Sequence, residues 1–417
     1  MFKKIKKYFK TLGPGWITGA SDDDPSGIGT YSYAGSRFGL GPLWIMLFSL
    51  PLMSAVQEMC ARIAQVSGMG LGAVMKKHMP RPVLSLLVLL LIGANTINIA
   101  ADIGAMAAAT QLLMPLPFFF FALLFTIITL VLEIFVSYKL YSKYLKFLTL
   151  SLFSYVVVAV MVTTDWPSVI RATVIPTITF SKEFFFVLVA ILGTTISPYL
   201  FFWQASTEVE QEISVGRVTV LQRRGASKDE IHDMRVDVIS GMFFSNIVAF
   251  FIILTTAMVL YPGGIVIQTA QDAAAALSPV AGQYASFLFA IGIIGTGLLA
   301  IPVLAGSASY AISEVLGWRS GLYRKLREAH GFYGVITIAT LVGLLINAIG
   351  VDPIQMLLWT AVINGIVAPI ILTGIIVIAN NKKIMGKWRN GPLANVLTGL
   401  TLIVMTAAII LMIVFWQ

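Results

Sequence analysis

Ser21-Asp22-Asp23-Asp24-Pro25-Ser26-Gly27 stands inside the first long apolar stretch of this chain. A helix that crosses a membrane keeps its backbone hydrogen bonds unbroken, because hydrocarbon offers no replacement partners. Here three carboxylates and a proline interrupt one. A charged side chain near the bilayer middle costs about 2.5–3.5 kcal/mol on insertion scales, so such groups face a protein interior or a wet cavity and mark an ion path. A second interruption, Ile196-Ser197-Pro198-Tyr199, falls in the sixth apolar stretch. Paired breaks at corresponding places in two halves of a membrane protein point to a midplane binding site made from unwound helices. The pattern is that of a transporter.

With 58% hydrophobic and only 11% charged residues over 417 positions, and a mean hydropathy of +0.89, no soluble surface could be built from this sequence. The single cysteine, Cys60, lies in the apolar second span, which excludes an intrachain disulfide and a cysteine metal cluster. His78, His232 and His330 all fall in polar connections, which argues against a histidine-based catalytic or metal centre in the membrane. No Ser/His, Cys/His or paired-Asp arrangement suggests an enzyme. The basic start, Lys3 to Lys10, is followed by a Gly/Asp/Pro-broken stretch rather than a compact apolar run with a cleavage site, so it is not read as a signal peptide.

About 20 apolar residues cross the hydrocarbon. Eleven such segments run near 12–38, 42–66, 83–110, 115–137, 147–164, 183–211, 237–261, 282–312, 332–350, 354–379 and 393–416. Cytoplasmic connections carry the Lys/Arg excess. With the N-terminus inside, its tail and the inside loops hold 24 of the 28 Lys and Arg residues, leaving Arg37, Arg171 and Lys182 outside and Arg62 within the second span. That one-sidedness makes the +9 net charge a topology signal rather than a nucleic-acid footprint, and it places the C-terminus outside.

Spans one and six lie five apart, in opposite orientations, and both are broken in the middle. The expected architecture is an all-α polytopic membrane protein of eleven helices. A first inverted repeat over 12–164 and a second over 183–379 are followed by a peripheral helix at 393–416, all forming one transmembrane domain over 1–417. The longest polar connection, Gly216 to Asp237, reads as a solvated loop running into a short capped helix.

At the first break, Pro25 cannot donate a backbone hydrogen bond and disfavours helix just before it, while Gly27 and Gly29 loosen the turn after it. Unpaired carbonyls beside a carboxylate form a site for a hard cation, and the formal charge favours a divalent one. Asp24 can serve as that ligand and also N-cap the outer half-helix. Asp22 and Asp23, one and two residues removed, are expected to meet water or another span. At the second break Thr194, Thr195 and Ser197 add hydroxyls and freed carbonyls but no charge, although such hydroxyls usually bond back to their own helix. Asn246 and Asn364 could line the path or simply bridge helices. Glu208, Glu210 and Glu212 read as a solvated acidic end.

Gly13-Pro14-Gly15, Asp24-Pro25-Ser26-Gly27, Gln57-Glu58-Met59-Cys60-Ala61-Arg62, Ala101-Asp102-Ile103 and the run from Gly193 to Gln204 together resemble the NRAMP family of divalent metal transporters over nearly the whole chain. The resemblance implies the inverted-repeat fold of the amino-acid/sodium symporters, with metal held between unwound helices one and six and carried by alternating access. Members that move Mn²⁺ and Fe²⁺ carry Asp-Pro-Gly-Asn and Met-Pro-His at these breaks. Here the aspartate is kept as Asp24, the asparagine is replaced by Gly27 and the methionine by Ser197, and the alanine that lends a carbonyl is replaced by Thr194. Loss of the thioether removes the preference for softer metals over Mg²⁺. Loss of the amide implies a roomier oxygen site that would accept Mg²⁺ with retained water. These departures resemble the NRAMP-related magnesium transporters, a bacterial branch, and imply an inner-membrane location.

The family's two sixth-helix histidines fall on Tyr199 and Gln204, and the acid expected three residues after Asp102 is Ala105. Of that proton relay only Asp102 survives, so transport uncoupled from protons is expected. An inside-negative potential supplies about 2.3 kcal/mol per charge per 100 mV, doubled for a divalent ion. Against this, Asp102 and Glu133 could serve a different proton route. The site residues expected are thus Asp24, Gly27, Thr194 and Ser197, with Tyr199, Gln204, Asp102 and Asn246 along the path. The expected partners are Mg²⁺ or Mn²⁺ as cargo and the lipid bilayer, with no resident cofactor, for a monomer. A proton-coupled Mn²⁺/Fe²⁺ transporter is the alternative. A sodium-coupled symporter of a small organic anion comes next, made awkward by three aspartates that repel such a solute.

Overall fold

Apolar runs long enough to span a bilayer become helices, because only intrahelical bonding satisfies their backbone there. The computed structural model describes residues 12–136 and 149–416. Among the described residues nine helical segments are long and apolar enough to cross a membrane. The first expected crossing consists of two short helices, α1 (Pro14–Asp22) and α2 (Pro25–Phe38). They are followed by α3 (Leu43–Ser67), α4 (Arg81–Gln111) and α5 (Phe118–Phe135). The fifth expected crossing is the ten-residue α6 (Phe153–Val162), preceded by a 3₁₀ turn; the start of that crossing, and Lys3 to Lys10, Lys139, Lys143 and Lys146 of the charge count, lie outside the described residues.

The sixth crossing is split into α7 (Lys182–Thr195) and α8 (Pro198–Ser214). Then come α9 (Lys228–Val259), α10 (Ala285–Leu316), α11 (His330–Asn347), α12 (Pro353–Asn380) and α13 (Pro392–Val414). α9 begins at Lys228, ahead of the expected 237, because a capping box starts it. The Ser227 hydroxyl accepts from the Glu230 amide at 3.1 Å, and Glu230 Oε2 accepts from the Ser227 amide at 2.7 Å.

α4 packs against α10, α11 and α12, and α9 lies along both α1 and α2. α7 runs beside α12, while α8 is held between α3 and α10. The broken helices therefore sit inside a cage of unbroken ones. Close approach needs small residues, since lipid supplies no hydrophobic drive between helices. At the α1–α9 crossing a Cβ on Gly241 would lie 2.1 Å from the Gly15 carbonyl oxygen, and one on Gly19 would lie 2.2 Å from the Gly241 oxygen. At the α7–α12 crossing a Cβ on Gly193 would lie 2.0 Å from the Ala361 oxygen. Each broken helix thus rests directly on a neighbour's backbone.

The side carrying the basic loops is tied together by charge. Glu58 accepts from Arg62 Nε at 3.0 Å and from Arg235 Nε at 2.8 Å, and Arg62 reaches on to the Trp388 carbonyl and to Asn390 Oδ1. Asp237 of α9 accepts from the Gly13, Gly15 and Trp16 amides at 2.7, 2.7 and 3.0 Å, which satisfies the free donors at the start of α1. The Gly216–Asp237 connection is not wholly solvated. Arg223 is buried and donates to the Gly68, Arg217 and Val218 carbonyls, while the Gly225 amide donates to Val66. Nor are the three glutamates a solvated end. Glu208 is held by Gln65 and Gln204, Glu210 by the Tyr310 hydroxyl and the Leu322 amide, and Glu212 by Arg217.

Candidate metal site

The site forms where four helix ends meet. α1 stops at Asp22 and α7 at Thr195; α2 restarts at Pro25 and α8 at Pro198. Proline fits each restart because the first helical N–H has no intrahelical partner to lose. Asp24 caps α2. Its Oδ1 accepts from the Gly27 amide at 2.6 Å and from Ser26 Oγ at 2.9 Å. Its Oδ2 accepts from Asn98 Nδ2 at 2.9 Å and from the Tyr199 hydroxyl at 3.4 Å. One carboxylate thereby joins both breaks and α4.

Gly27 faces the second break. A Cβ there would lie 3.0 Å from Thr194 Oγ1, 3.3 Å from the Tyr31 ring and 3.4 Å from Asp24 Oδ1. The missing side chain leaves room for the Thr194 hydroxyl and Asp24 Oδ1 on the same side of Gly27. Thr194 Oγ1 is buried, with the Tyr31 hydroxyl as its neighbour. Ser197 bonds back to its own segment, its hydroxyl reaching the Gly193 and Thr194 carbonyls at 2.8 Å each. The donors around Asp24 are therefore oxygen and amide groups, with no sulfur or imidazole among the residues named.

Asp102 of α4 is fully buried, with the Ser26 amide and Asp24 as its neighbours and no hydrogen bond of ordinary geometry to either carboxylate oxygen. Gln204 is directed elsewhere, donating to Glu208 at 2.8 Å. Asn246 donates to Ser49 Oγ at 3.2 Å and so bridges α9 to α3. Asn364 is buried with neither side-chain atom bonded. Asp22 and Asp23 meet another span, as their common donor is the Ser245 hydroxyl of α9. Asn98 escaped the sequence reading. Its signal was the pair Asn95 and Asn98, three apart on one face of an otherwise apolar helix, both at 0% exposure.

The roomy pocket expected from the loss of the asparagine is closed in this structure. Asp24, Thr194, Ser197 and Tyr199 are each at most 1% exposed, because Asn98 and Tyr199 fold onto the carboxylate from opposite segments. Among the described residues no three His, Cys, Asp or Glu side chains converge in an arrangement that could hold a metal ion. What is offered is a carboxylate assisted by hydroxyls, an amide and backbone oxygens, a donor set suited to hard divalent cations.

A family model described as natural resistance-associated macrophage protein-like, Nramp, matches residues 15–415. The chain belongs to the Nramp family. Among Nramp relatives, the divalent metal cation transporter MntH of Caldanaerobacter subterraneus subsp. tengcongensis is 24% identical over 402 residues, covering 94% of this chain and 90% of that protein. MntH of Bacillus subtilis is likewise 24% identical, covering 97% of this chain and 91% of its own. The solved structure of the Eremococcus coleocola manganese transporter superposes with a TM-score of 0.74 at 19% identity, covering 97% of this chain and 86% of the other. The nucleobase-cation-symport-1 family transporter Mhp1, in a closed conformation, superposes at 0.58 with 12% identity, covering 97% and 91%. This Nramp protein is thus an all-helical, multi-pass membrane transporter of divalent metal cations, and not an enzyme.

Proposed function

We propose that this Nramp protein carries Mg²⁺ and Mn²⁺ by alternating access, with Asp24 as the charged ligand and the Thr194 and Ser197 segment as its counterpart. The observation that carries the reading is the contact of both breaks at one carboxylate, surrounded by hydroxyl and amide groups with no sulfur or imidazole among them. Mg²⁺ holds its water tightly and is bound through one or two carboxylates. A site without a thioether has no means of favouring softer ions over it. The side-by-side breaks also support two repeats, 12–164 and 183–379, with the helix at 393–416 outside them.

The relatives are named for manganese and for divalent metals in general, which supports the Mn²⁺ part of this reading and equally a proton-coupled Mn²⁺/Fe²⁺ transporter. A specific observation on the side of coupling is that Asp102 and Glu133 are buried carboxyl groups facing no cationic side chain among the described residues, and that neither Glu133 oxygen is hydrogen-bonded. We place flux down the electrochemical gradient first, because Tyr199 and Gln204 cannot load protons as imidazoles do. Uptake of Mg²⁺ or Mn²⁺ into vesicles, with an internal pH dye and an imposed inside-negative potential, decides the matter. Metal should enter while internal pH stays constant; acidification in step with metal entry establishes the coupled transporter instead.

Ser197→Met tests the metal preference. A thioether placed at the second break should raise Cd²⁺ affinity relative to Mg²⁺ by about tenfold, the equivalent of one soft-ligand contact near 1.4 kcal/mol. Isothermal titration with each ion checks it, and an unchanged Cd²⁺/Mg²⁺ ratio removes Ser197 from the ligand set.

A further inference from the structure

We propose that the cleft between the end of α5 and the start of α11, on the side carrying the basic loops, binds the headgroup of an anionic phospholipid from the surrounding leaflet. The cleft measures about 640 Å³. It is lined by Ile134, Phe135 and Val136 at the end of α5, by the stretch from Leu322 to Arg327 ahead of α11, and by Tyr333 of α11. Sites for small ligands measure about 300–1,000 Å³, and this volume lies among them. α5 and α11 pack together, and both are long and apolar enough to span the bilayer, so the cleft lies where hydrocarbon gives way to headgroups.

Three cations stand in the lining: Arg324, Lys325 and Arg327. Among the described residues their single ion pair is that of Arg324 Nη1 with Glu328 Oε2, at 4.0 Å, while Lys325 and Arg327 are exposed and have none. The sidedness of membrane loops accounts for basic residues being here, but not for their convergence on a cavity. Arg324 is also set in place. Its Nε donates to the Ser320 carbonyl at 3.2 Å, its guanidinium lies over the Tyr323 ring at 4.9 Å from the centroid, and its own carbonyl accepts from the Tyr333 hydroxyl at 2.7 Å. A planar guanidinium held in this way presents its terminal nitrogens to two phosphate oxygens at little further cost in order.

The apolar side of the cleft selects a lipid over a soluble phosphate. Phe135, Val131, Ile127 and Leu124 are exposed and follow one another at helical spacing along α5, away from the cleft. In a bilayer that stripe meets acyl chains, so a molecule with its phosphate among the cations lays its chains along α5. Tyr323 and Leu326, also exposed, add an aromatic and an aliphatic group at headgroup depth. Each Lys or Arg near an anionic leaflet favours binding by about fivefold. A zwitterionic headgroup gains less, since the same cations repel its own positive end.

The test is lipid retention by the purified full-length protein, counted by native mass spectrometry from micelles holding equal amounts of phosphatidylglycerol and phosphatidylcholine. Wild type should keep phosphatidylglycerol over phosphatidylcholine by about tenfold or more. Lys325→Gln/Arg327→Gln removes two exposed charges without ion-pair partners and should retain the two lipids about equally. Lys382→Gln/Lys383→Gln makes the same change of charge in another basic loop, outside the lining, and should keep the wild-type preference. An absent preference in wild type, or a preference that survives in Lys325→Gln/Arg327→Gln, overturns the proposal. Equal losses in the two double variants also overturn it, by reducing the effect to general surface attraction. Glycerol phosphate at millimolar concentration should leave the lipid in place; its displacement overturns the lipid assignment in favour of a soluble anion.

Discussion

Asp24→Ala is expected to reduce Mg²⁺ and Mn²⁺ uptake into vesicles to background, a loss of at least about a hundredfold, which corresponds to about 2.7 kcal/mol or more of lost ion stabilisation. The size of the loss reflects what the carboxylate does. It supplies the formal charge at the meeting of the two breaks, and its four hydrogen bonds hold α2, α4 and α8 in register. Removing it also strips the N-cap from α2, at a cost of about 1 kcal/mol. Thermal unfolding in detergent separates the two losses. A Tm near wild type with no uptake assigns the effect to the ion, whereas uptake within tenfold of wild type means that Asp24 does not hold it.

Gly241→Val should be the most damaging substitution away from the ion. The added Cβ would sit 2.1 Å from the Gly15 carbonyl oxygen, and backbone cannot rotate aside as a side chain can. Overpacking ordinarily costs about 1–3 kcal/mol, and a fixed obstacle belongs at or above the upper end. We expect a lower Tm together with lost uptake. Gly334→Ala is the control, since a Cβ at Gly334 meets nothing within 4 Å, and its Tm should be unchanged or slightly raised. Equal Tm values for the two variants would show that the α1–α9 contact is not tight.

Both breaks and the meeting of Asp24 with the sixth crossing were legible in the sequence because proline and consecutive carboxylates are incompatible with an unbroken helix in hydrocarbon. Helix ends were legible to within a few residues where polar residues bound the apolar runs. The start of α9 was not, since the capping box at Ser227 extends the helix beyond the membrane and hydropathy carries no record of that. Asn98 was missed for a related reason: an asparagine in an apolar helix reads the same whether it bridges helices or supports a carboxylate. The placing of Asp22 could not be inferred from helical spacing, because that spacing ceases to apply at Asp23, where the chain leaves the helix. Glu208, Glu210 and Glu212 looked solvated because their partners, Gln65, Tyr310, Leu322 and Arg217, lie on other segments or beyond the helix end.

The grip of Asp237 on the first turn of α1 has a mechanical consequence. Hydrogen bonds from three amides to one carboxylate, the bare backbone contact at Gly241 and the tilted contact of Trp16 with Phe244, ring centroids 5.1 Å apart, fasten α1 along its length to α9. A lever so attached has no freedom to swing by itself. A tilt of α1 relative to α9 would break these contacts, so the two helices are coupled in any such motion, with the bend at Asp23 as the free joint.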